Sequence, residues 1–297
     1  MRELSFSVPK EYDGIRLKSF LRSYCGISSR LMIRLKREPM GIARNGQHAI
    51  VTEVLKAGDT VCIRIPDDTK LHEPLSVPLA VVYEDSDLLI VDKPSGMPMY
   101  PTPGHDCDSL ANAAAAYFLS KGERFSFRPV YRLDKDTTGL VVLAKNSYCA
   151  AQLAAKIEKE YVAVCEGTLM GEGTIDQPIG LKEGHSIQRE VTEKGERAVT
   201  HWRALRNGGG YTLVSFRLGT GRTHQIRVHM AHIGHPLAGD DFYGGGLRFL
   251  SRQALHCMNI HFIHPVTRRE MELSCALPND IQSLLTLCGM EEYTKTE

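Results

Sequence analysis

The sequence predicts an α+β protein: many short strands, interrupted by a few helices. Three observations carry that expectation. Apolar runs bounded by turn residues recur through the chain, as at 88–91, 140–144 and 255–262. Apolar residues at helical spacing occur in only a few short stretches. The resulting pattern is strand-rich and interrupted by helices, which agrees with an α+β class.

Taken in order, residues 15–24 place Leu17, Phe20, Leu21 and Tyr24 at helical spacing. Ser28 or Ser29 is positioned to cap a second helix that turns Leu31 and Leu35 inward. Arg30, Arg34 and Arg37 then share its outer face. Asn45-Gly46 reads as a tight turn between short strands, and 61–65 as a further strand. Residues 67–78 are polar, carry Pro74 and Pro78 and lack periodicity, which marks a linker between a unit at 1–66 and one at 79–297.

In the larger unit, 80–83 and 88–91 read as strands. Asp108 or Ser109 caps an alanine-rich helix that runs to 119, and Asn146 or Ser147 opens a helix that runs to about 158. A strand follows at 161–164. The polar, glycine-rich stretch 171–197 is expected to be a mobile insertion or loop. Residues 196–205 and 211–218 read as strands around the turn 207–210. Thr223 is the expected cap of a helix whose buried stripe is Ile226, Met230 and Ile233, ended by Gly234 and Pro236. Strands at 255–262 and 270–274 and a helix at 279–287 close the chain.

Composition excludes several classes. No run of eighteen apolar residues exists, so no membrane-spanning helix is expected. The first ten residues lack an apolar signal core, and the eight cysteines are widely spaced with no Cys-x-x-Cys pair. Reduced thiols in a cytoplasmic protein fit better than a disulfide framework. His224, His229, His232 and His235 lack the spacing of a zinc helix, so no metal site is expected. No dinucleotide fingerprint is present. The net charge of +1 conceals an asymmetry: residues 16–44 hold eight cations against Glu38 alone, net +7, which leaves −6 for the remainder. A basic patch on a near-neutral protein suggests a polyanion contact.

The chemistry centres on 131–145, YRLDKDTTGLVVLAK. If 131–134 are extended, Leu133 points inward while Arg132 and Asp134 share the opposite face. Residues 136–139 are turn formers, and the apolar run beyond is a core strand. An aspartate is thus fixed at the mouth of that strand beside an arginine. This stretch resembles the signature of the RluA-type RNA pseudouridine synthases, with Tyr131 where that family usually has histidine and Thr138 where serine is common. The string 87–104 is similar to the same family's opening motif, with Tyr100 in place of a usual histidine. Lys159-Glu160-Tyr161 matches its short Lys-x-Tyr motif. Residues 219–230, GTGRTHQIRVHM, resemble its third motif, and the run on to Gly239-Asp240 and Tyr243-Gly244 follows it. The region from about 12 to 65 is also similar to the alpha-L RNA-binding motif, with a longer connection at 36–40 that contains Pro39.

The resemblance implies a mixed, mostly antiparallel sheet with a central cleft, and isomerisation of uridine to pseudouridine in ribosomal or transfer RNA. It implies no cofactor and no nucleotide, with the protein expected to act as a monomer. Asp134 is the implied catalytic carboxylate, Arg227 its pairing arginine, and Tyr161 a ring on which uracil stacks. Arg132 is placed to fill the space that the everted base leaves. Arg222, His224 and the arginines at 30, 34 and 37 are candidate RNA contacts. Two other readings are weighed: a non-catalytic RNA-binding or ribosome-assembly factor on the same scaffold, and a glycosidic hydrolase pairing Asp134 with Asp136. Asp136 has a simpler explanation as a turn residue, so the hydrolase ranks last.

Overall fold

The computed structural model describes residues 1–67, 72–75, 77–102 and 104–290. Two sheets organise them. The smaller is built from β1 (Arg2–Ser7), β2 (Ile42–Arg44), β3 (Gln47–His48) and β4 (Thr60–Ile65), antiparallel in the order β1-β4-β2-β3. Strand β1 was not foreseen in the sequence. Helices α1 (Leu17–Ser23) and α2 (Ser29–Leu35) complete this region. Leu17, Phe20, Leu21, Leu31 and Leu35 are buried, as helical spacing requires. The Ser28 hydroxyl caps α2 by accepting the Leu31 N–H at 3.2 Å. Asn45 and Gly46, both at positive φ, form the turn between β2 and β3.

The larger sheet contains β5 (Ala80–Glu84), β6 (Leu88–Lys93), β7 (Thr138–Ala144), β8 (Glu158–Glu166), β9 (Glu172–Asp176), β12 (Val199–Gly208), β13 (Tyr211–Leu218), β14 (Leu255–Ile263) and β15 (Glu270–Ser274). Its path is β5-β6-β7-β14-β8-β13-β12-β9, with β15 pairing β14. Among the described residues only β7 and β14 are parallel, meeting at Thr138↔His256 and Gly139↔Cys257; the other pairs of this sheet are antiparallel. The expected mixed, mostly antiparallel sheet is therefore present. Helices α3 (Leu110–Ser120), α4 (Ser147–Leu153), α5 (Gln225–His232) and α6 (Asn279–Leu287) flank it. Ser109 and Asn112 cap α3 reciprocally, and Asn146 caps α4.

Buried apolar contacts run without a break from the small sheet into the large one. Arg2 donates from Nε and Nη2 to the buried Asp87 carboxylate at 2.9 and 2.8 Å, and Asn146 Nδ2 adds a bond to the same carboxylate at 2.8 Å. Of the expected linker 67–78, residues 68–71 and 76 lie outside the described residues. Glu73 and Leu75 are bonded to α3: Asn112 Nδ2 donates to the Glu73 carbonyl at 2.8 Å, and the Leu75 N–H to the Asn112 carbonyl at 3.2 Å.

Three expectations are corrected. The stretch 171–197 is not a loop: it forms β9 at the edge of the large sheet and a hairpin of β10 (Ile179–Leu181) and β11 (Arg189–Val191). Ile175 and Ile179 bury there, and the Trp202 ring lies against Gly173, where a Cβ would come within 2.9 Å of it. The helix from Asn146 stops at Leu153, because Ala155 takes positive φ and β8 begins at Glu158. Helix α5 starts after His224, which is itself left-handed (φ 56°), and not from a Thr223 cap.

Candidate active site

The carboxylate of Asp134 is held by a loop fastened at both ends. Before it, the Tyr131 hydroxyl donates to the Leu140 carbonyl at 2.8 Å and Leu133 is buried. After it, the Thr137 N–H donates to the Asp134 carbonyl at 3.2 Å. Two buried cations grip the loop from below. Lys93 Nζ donates to the carbonyls of Pro94, Met97 and Lys135 at 2.8–2.9 Å, and Arg252 Nη1 to that of Asp136 at 3.1 Å. Burial pushes the Lys93 ammonium down to about 7, against the pull of Asp136 and Asp134 in the other direction. Just beyond, Gly139 has φ 112°, and a Cβ there would sit 2.3 Å from the Cys257 carbonyl oxygen. Glycine is thus required where β7 meets β14, and that parallel junction sets the direction from which Asp134 enters the cleft.

Arg227 comes from the first turn of α5 and is buried. Its Nε and Nη2 donate to the two oxygens of Asp240 at 2.7 Å each, a bidentate pair with Asp240 only 1% exposed. The remaining corner, Nη1, lies 3.4 Å from Asp134 Oδ2. Burial would lower the Arg227 pKa, but the Asp240 bonds and the two carboxylate charges raise it on balance, so the guanidinium is always charged. At an effective dielectric near 20 its attraction for Asp134 is worth about 5 kcal/mol before desolvation is subtracted. Asp240 orients the fork, and Asp134 receives its free corner.

His224 Nε2 lies 3.9 Å from the same Asp134 oxygen, while its Nδ1 shares a 2.7 Å bond with the Tyr243 hydroxyl. Burial lowers the His224 pKa more than Asp134 raises it, which leaves the ring neutral at pH 7. Tyr161 lies within β8, paired with Cys257 of β14 on one side and Phe216 of β13 on the other. Burial holds its phenol well above the ordinary value, reinforced by Cys257 and Asp134, so the group is a neutral ring with a hydroxyl and not a phenolate base. Gln225 stitches the preceding loop to β12: its Oε1 accepts from the Arg222 N–H and the Thr220 hydroxyl, and its Nε2 donates to the Val199 carbonyl.

Arg132, Asp134, Tyr161, Arg222, His224 and Arg227 all line one narrow cleft. Sequence positions from 132 to 227 are thus brought together around one carboxylate. Arg132 is exposed, with its guanidinium 6.0 Å from the centre of the Tyr100 ring. Arg222 is tied to the Glu196 carboxylate and donates to the Arg197 carbonyl at 3.1 Å. Arg30, Arg34 and Arg37 lie apart from this cleft, in the small-sheet region. Arg30 is exposed on α2, Arg34 Nη2 reaches the Pro66 carbonyl at 3.3 Å, and Arg37 lies in the exposed turn just past α2. Sequence reasoning did not single out Asp240, Lys93 or Gln225. All three fall inside the matched strings, but what each holds is visible only in three dimensions.

Two groups among the described residues bring together metal-type donors, Asp92–His256–Cys275 and Asp85–Asp87–His264. The first is held by hydrogen bonds; in the second His264 Nε2, which is buried without a hydrogen bond, lies 2.9 Å from Asp85 Oδ2. His256 Nδ1 meets the Thr138 hydroxyl at 2.9 Å and Nε2 the Cys275 sulfur at 3.2 Å; Asp87 is taken by Arg2 and Asn146. Neither group includes Asp134. A larger hollow of about 510 Å³ lies beneath the small sheet, against Arg2, Tyr148 and Arg268, away from Asp134.

Residues 87–232 match the family model for RNA pseudouridylate synthases. The RNA pseudouridine synthase YjbO of Bacillus subtilis is 38% identical over 270 residues, which covers 88% of this chain and 95% of that protein. The chain belongs to the RluA-type RNA pseudouridine synthase family. A ribosomal large subunit pseudouridine synthase D from Haemophilus influenzae is 38% identical over 244 residues, 76% of this chain and 75% of the relative. Human RNA pseudouridylate synthase domain containing 1 shares the fold, with a TM-score of 0.58 at 27% identity over 73% of this chain and 90% of the human chain. This pseudouridine synthase is therefore an isomerase, and the cleft around Asp134 lies within the matched region.

Proposed function

We propose that this pseudouridine synthase modifies uridines of large-subunit ribosomal RNA, with Asp134, Tyr161 and Arg227 as its catalytic groups. The observation that carries the residue assignment is the 3.4 Å approach of Arg227 Nη1 to Asp134 in a cleft that Tyr161 also lines. The ribosomal substrate is supported by the names of relatives such as the Haemophilus influenzae enzyme.

In the reaction the bond from ribose C1′ to uracil N1 breaks, C1′ bonds to C5, the C5 proton leaves and N1 is protonated. Asp134 supplies negative charge where positive charge develops on the sugar, and Arg227 keeps it ionised. Tyr161 supplies the face on which the detached uracil turns without escaping. The target nucleotide must leave its stack, at a cost of a few kcal/mol. Arg132, exposed at the cleft mouth, fills the vacated place. Arg222 and His224 line the RNA path, and Arg222 reaches it by exchanging Glu196 for phosphate.

Residues 1–66 form an alpha-L-like RNA-binding domain, joined through 67–78 to the catalytic domain at 79–297. Its contact surface is the face that carries Arg30, Arg34 and Arg37, and its grip weakens with salt as counterions return to the RNA. The enzyme acts as a cytoplasmic monomer, in keeping with eight free cysteines and, among the described residues, no helix long and apolar enough to cross a membrane. Mapping pseudouridine in large-subunit ribosomal RNA from cells with and without the protein tests the substrate. Sites that vanish in its absence and return on in-vitro treatment are expected; an unchanged map would overturn the ribosomal assignment. A binding factor without activity would release no tritium from RNA labelled at uridine C5, whereas turnover releases it.

A further inference from the structure

We propose that Arg189, beside Tyr243 and His224, forms a phosphate subsite that takes a backbone phosphate of the RNA next to the everted uridine. This rests on the functional reading above and adds a residue outside the matched motifs. Arg189 lies on β11, whose hairpin with β10 is fixed against the active site at three points. The Arg189 N–H donates to the Tyr243 hydroxyl at 3.0 Å, and that hydroxyl is the one bonded to His224 Nδ1 at 2.7 Å. Gln188 Nε2 donates to the Phe242 carbonyl at 2.7 Å. Ile179 of β10 packs with Val228 of α5. The backbone of Arg189 is thus two hydrogen bonds from a ring whose Nε2 lies 3.9 Å from Asp134. Its charge is close enough to depress the pKa of His224.

The guanidinium has no counter-ion among the described residues, and its Nε is buried without a hydrogen-bond partner. A buried donor left unpaired is costly, and a half-buried guanidinium fork matches phosphate geometry. Of the other cations at the cleft, Arg132 is exposed at the mouth, and Arg222 takes phosphate only by releasing Glu196. Arg227 holds Asp240 and Asp134, and His224 is neutral at pH 7. An everted nucleotide brings phosphates on both sides of its sugar, and these set register along the RNA. Arg189 is the uncommitted charge on the His224 side of Asp134, as Arg132 is at the mouth.

The test uses the full-length protein and an in-vitro transcript of large-subunit ribosomal RNA. Binding is followed by fluorescence anisotropy across a salt series, and turnover by tritium release. For Arg189→Gln, Kd and KM rise about tenfold, kcat falls far less, and the slope of log Kd against log salt flattens by about one. Arg189→Lys keeps the slope and regains much of the affinity. An unchanged slope and KM in Arg189→Gln would overturn the proposal, as would equal losses in the Gln and Lys variants, which would mean a role in folding. Should the wild type make no pseudouridine in this RNA, the substrate reading fails alone, because the salt slope still judges Arg189.

Discussion

Asp240 touches no substrate in this account, yet its replacement should cost both stability and rate. It accepts two 2.7 Å bonds from Arg227 while only 1% exposed, and Arg227 is itself buried. In Asp240→Asn the side chain keeps its volume but loses its charge and one acceptor. A buried guanidinium is left with Asp134, 3.4 Å away, as its remaining carboxylate. Breaking a buried pair by removing one partner costs about 3–5 kcal/mol. For a chain of 297 residues that lowers Tm by roughly 5–8 °C. Arg227 then swings toward Asp134 and engages the oxygen that faces the sugar, and a shift near 1 Å at reacting atoms costs about 100-fold in rate. Thermal melts and single-turnover tritium release measure the two effects. A double-mutant cycle with Arg227→Met isolates the pair. The Met/Asn double variant should lose less stability than the sum of the single variants, because it leaves no unpaired guanidinium. Strict additivity, or an Asp240→Asn enzyme with wild-type Tm and rate, would refute the reasoning.

Two further outcomes are expected. Gly139→Ala places a methyl 2.3 Å from the Cys257 carbonyl at a φ of 112°, so β7 and β14 must part. A loss of about 3 kcal/mol in denaturant unfolding and a drop in kcat larger than any rise in KM should follow; a neutral substitution would disprove the assigned role of that junction. His256 has its pKa pushed from 6.5 to about 4, chiefly by burial, while the unfolded chain titrates near 6.5. Above pH 6.5 neither state holds that proton. Between about 6.5 and 4 only the unfolded chain binds it, so acidification removes about 3 kcal/mol of stability across that window. His256→Gln should flatten unfolding free energy against pH there, and an unchanged curve would exclude His256 as the source.

Much of this architecture was legible in the sequence because the large sheet is apolar in continuous runs. Strands β6, β7 and β14 are buried along nearly their whole length, and α6 is found at the predicted residues. The hairpin at 179–191 was not legible. Its strands are three residues each and half-polar, and their burial depends on α5 and Tyr243 from distant parts of the chain. The short α4 was over-extended because nothing local announces the left-handed Ala155. Asp134 and Arg227 on long matched strings, and Tyr161 on a short one, do line one cleft. The members that position them could not be weighed from sequence. Asp240 reads as one acidic residue among many, Lys93 as a strand-end cation, and Gln225 as an ordinary helix residue; only their burial and partners give them meaning.

The most direct measurement is pseudouridine formation by Asp134→Asn under single-turnover conditions with enzyme in excess, alongside RNA binding and a thermal melt. The variant should fold, hold RNA as the wild type does, and form no pseudouridine. Product at a rate approaching that of the wild type would show that the carboxylate at 134 is not what breaks the glycosidic bond.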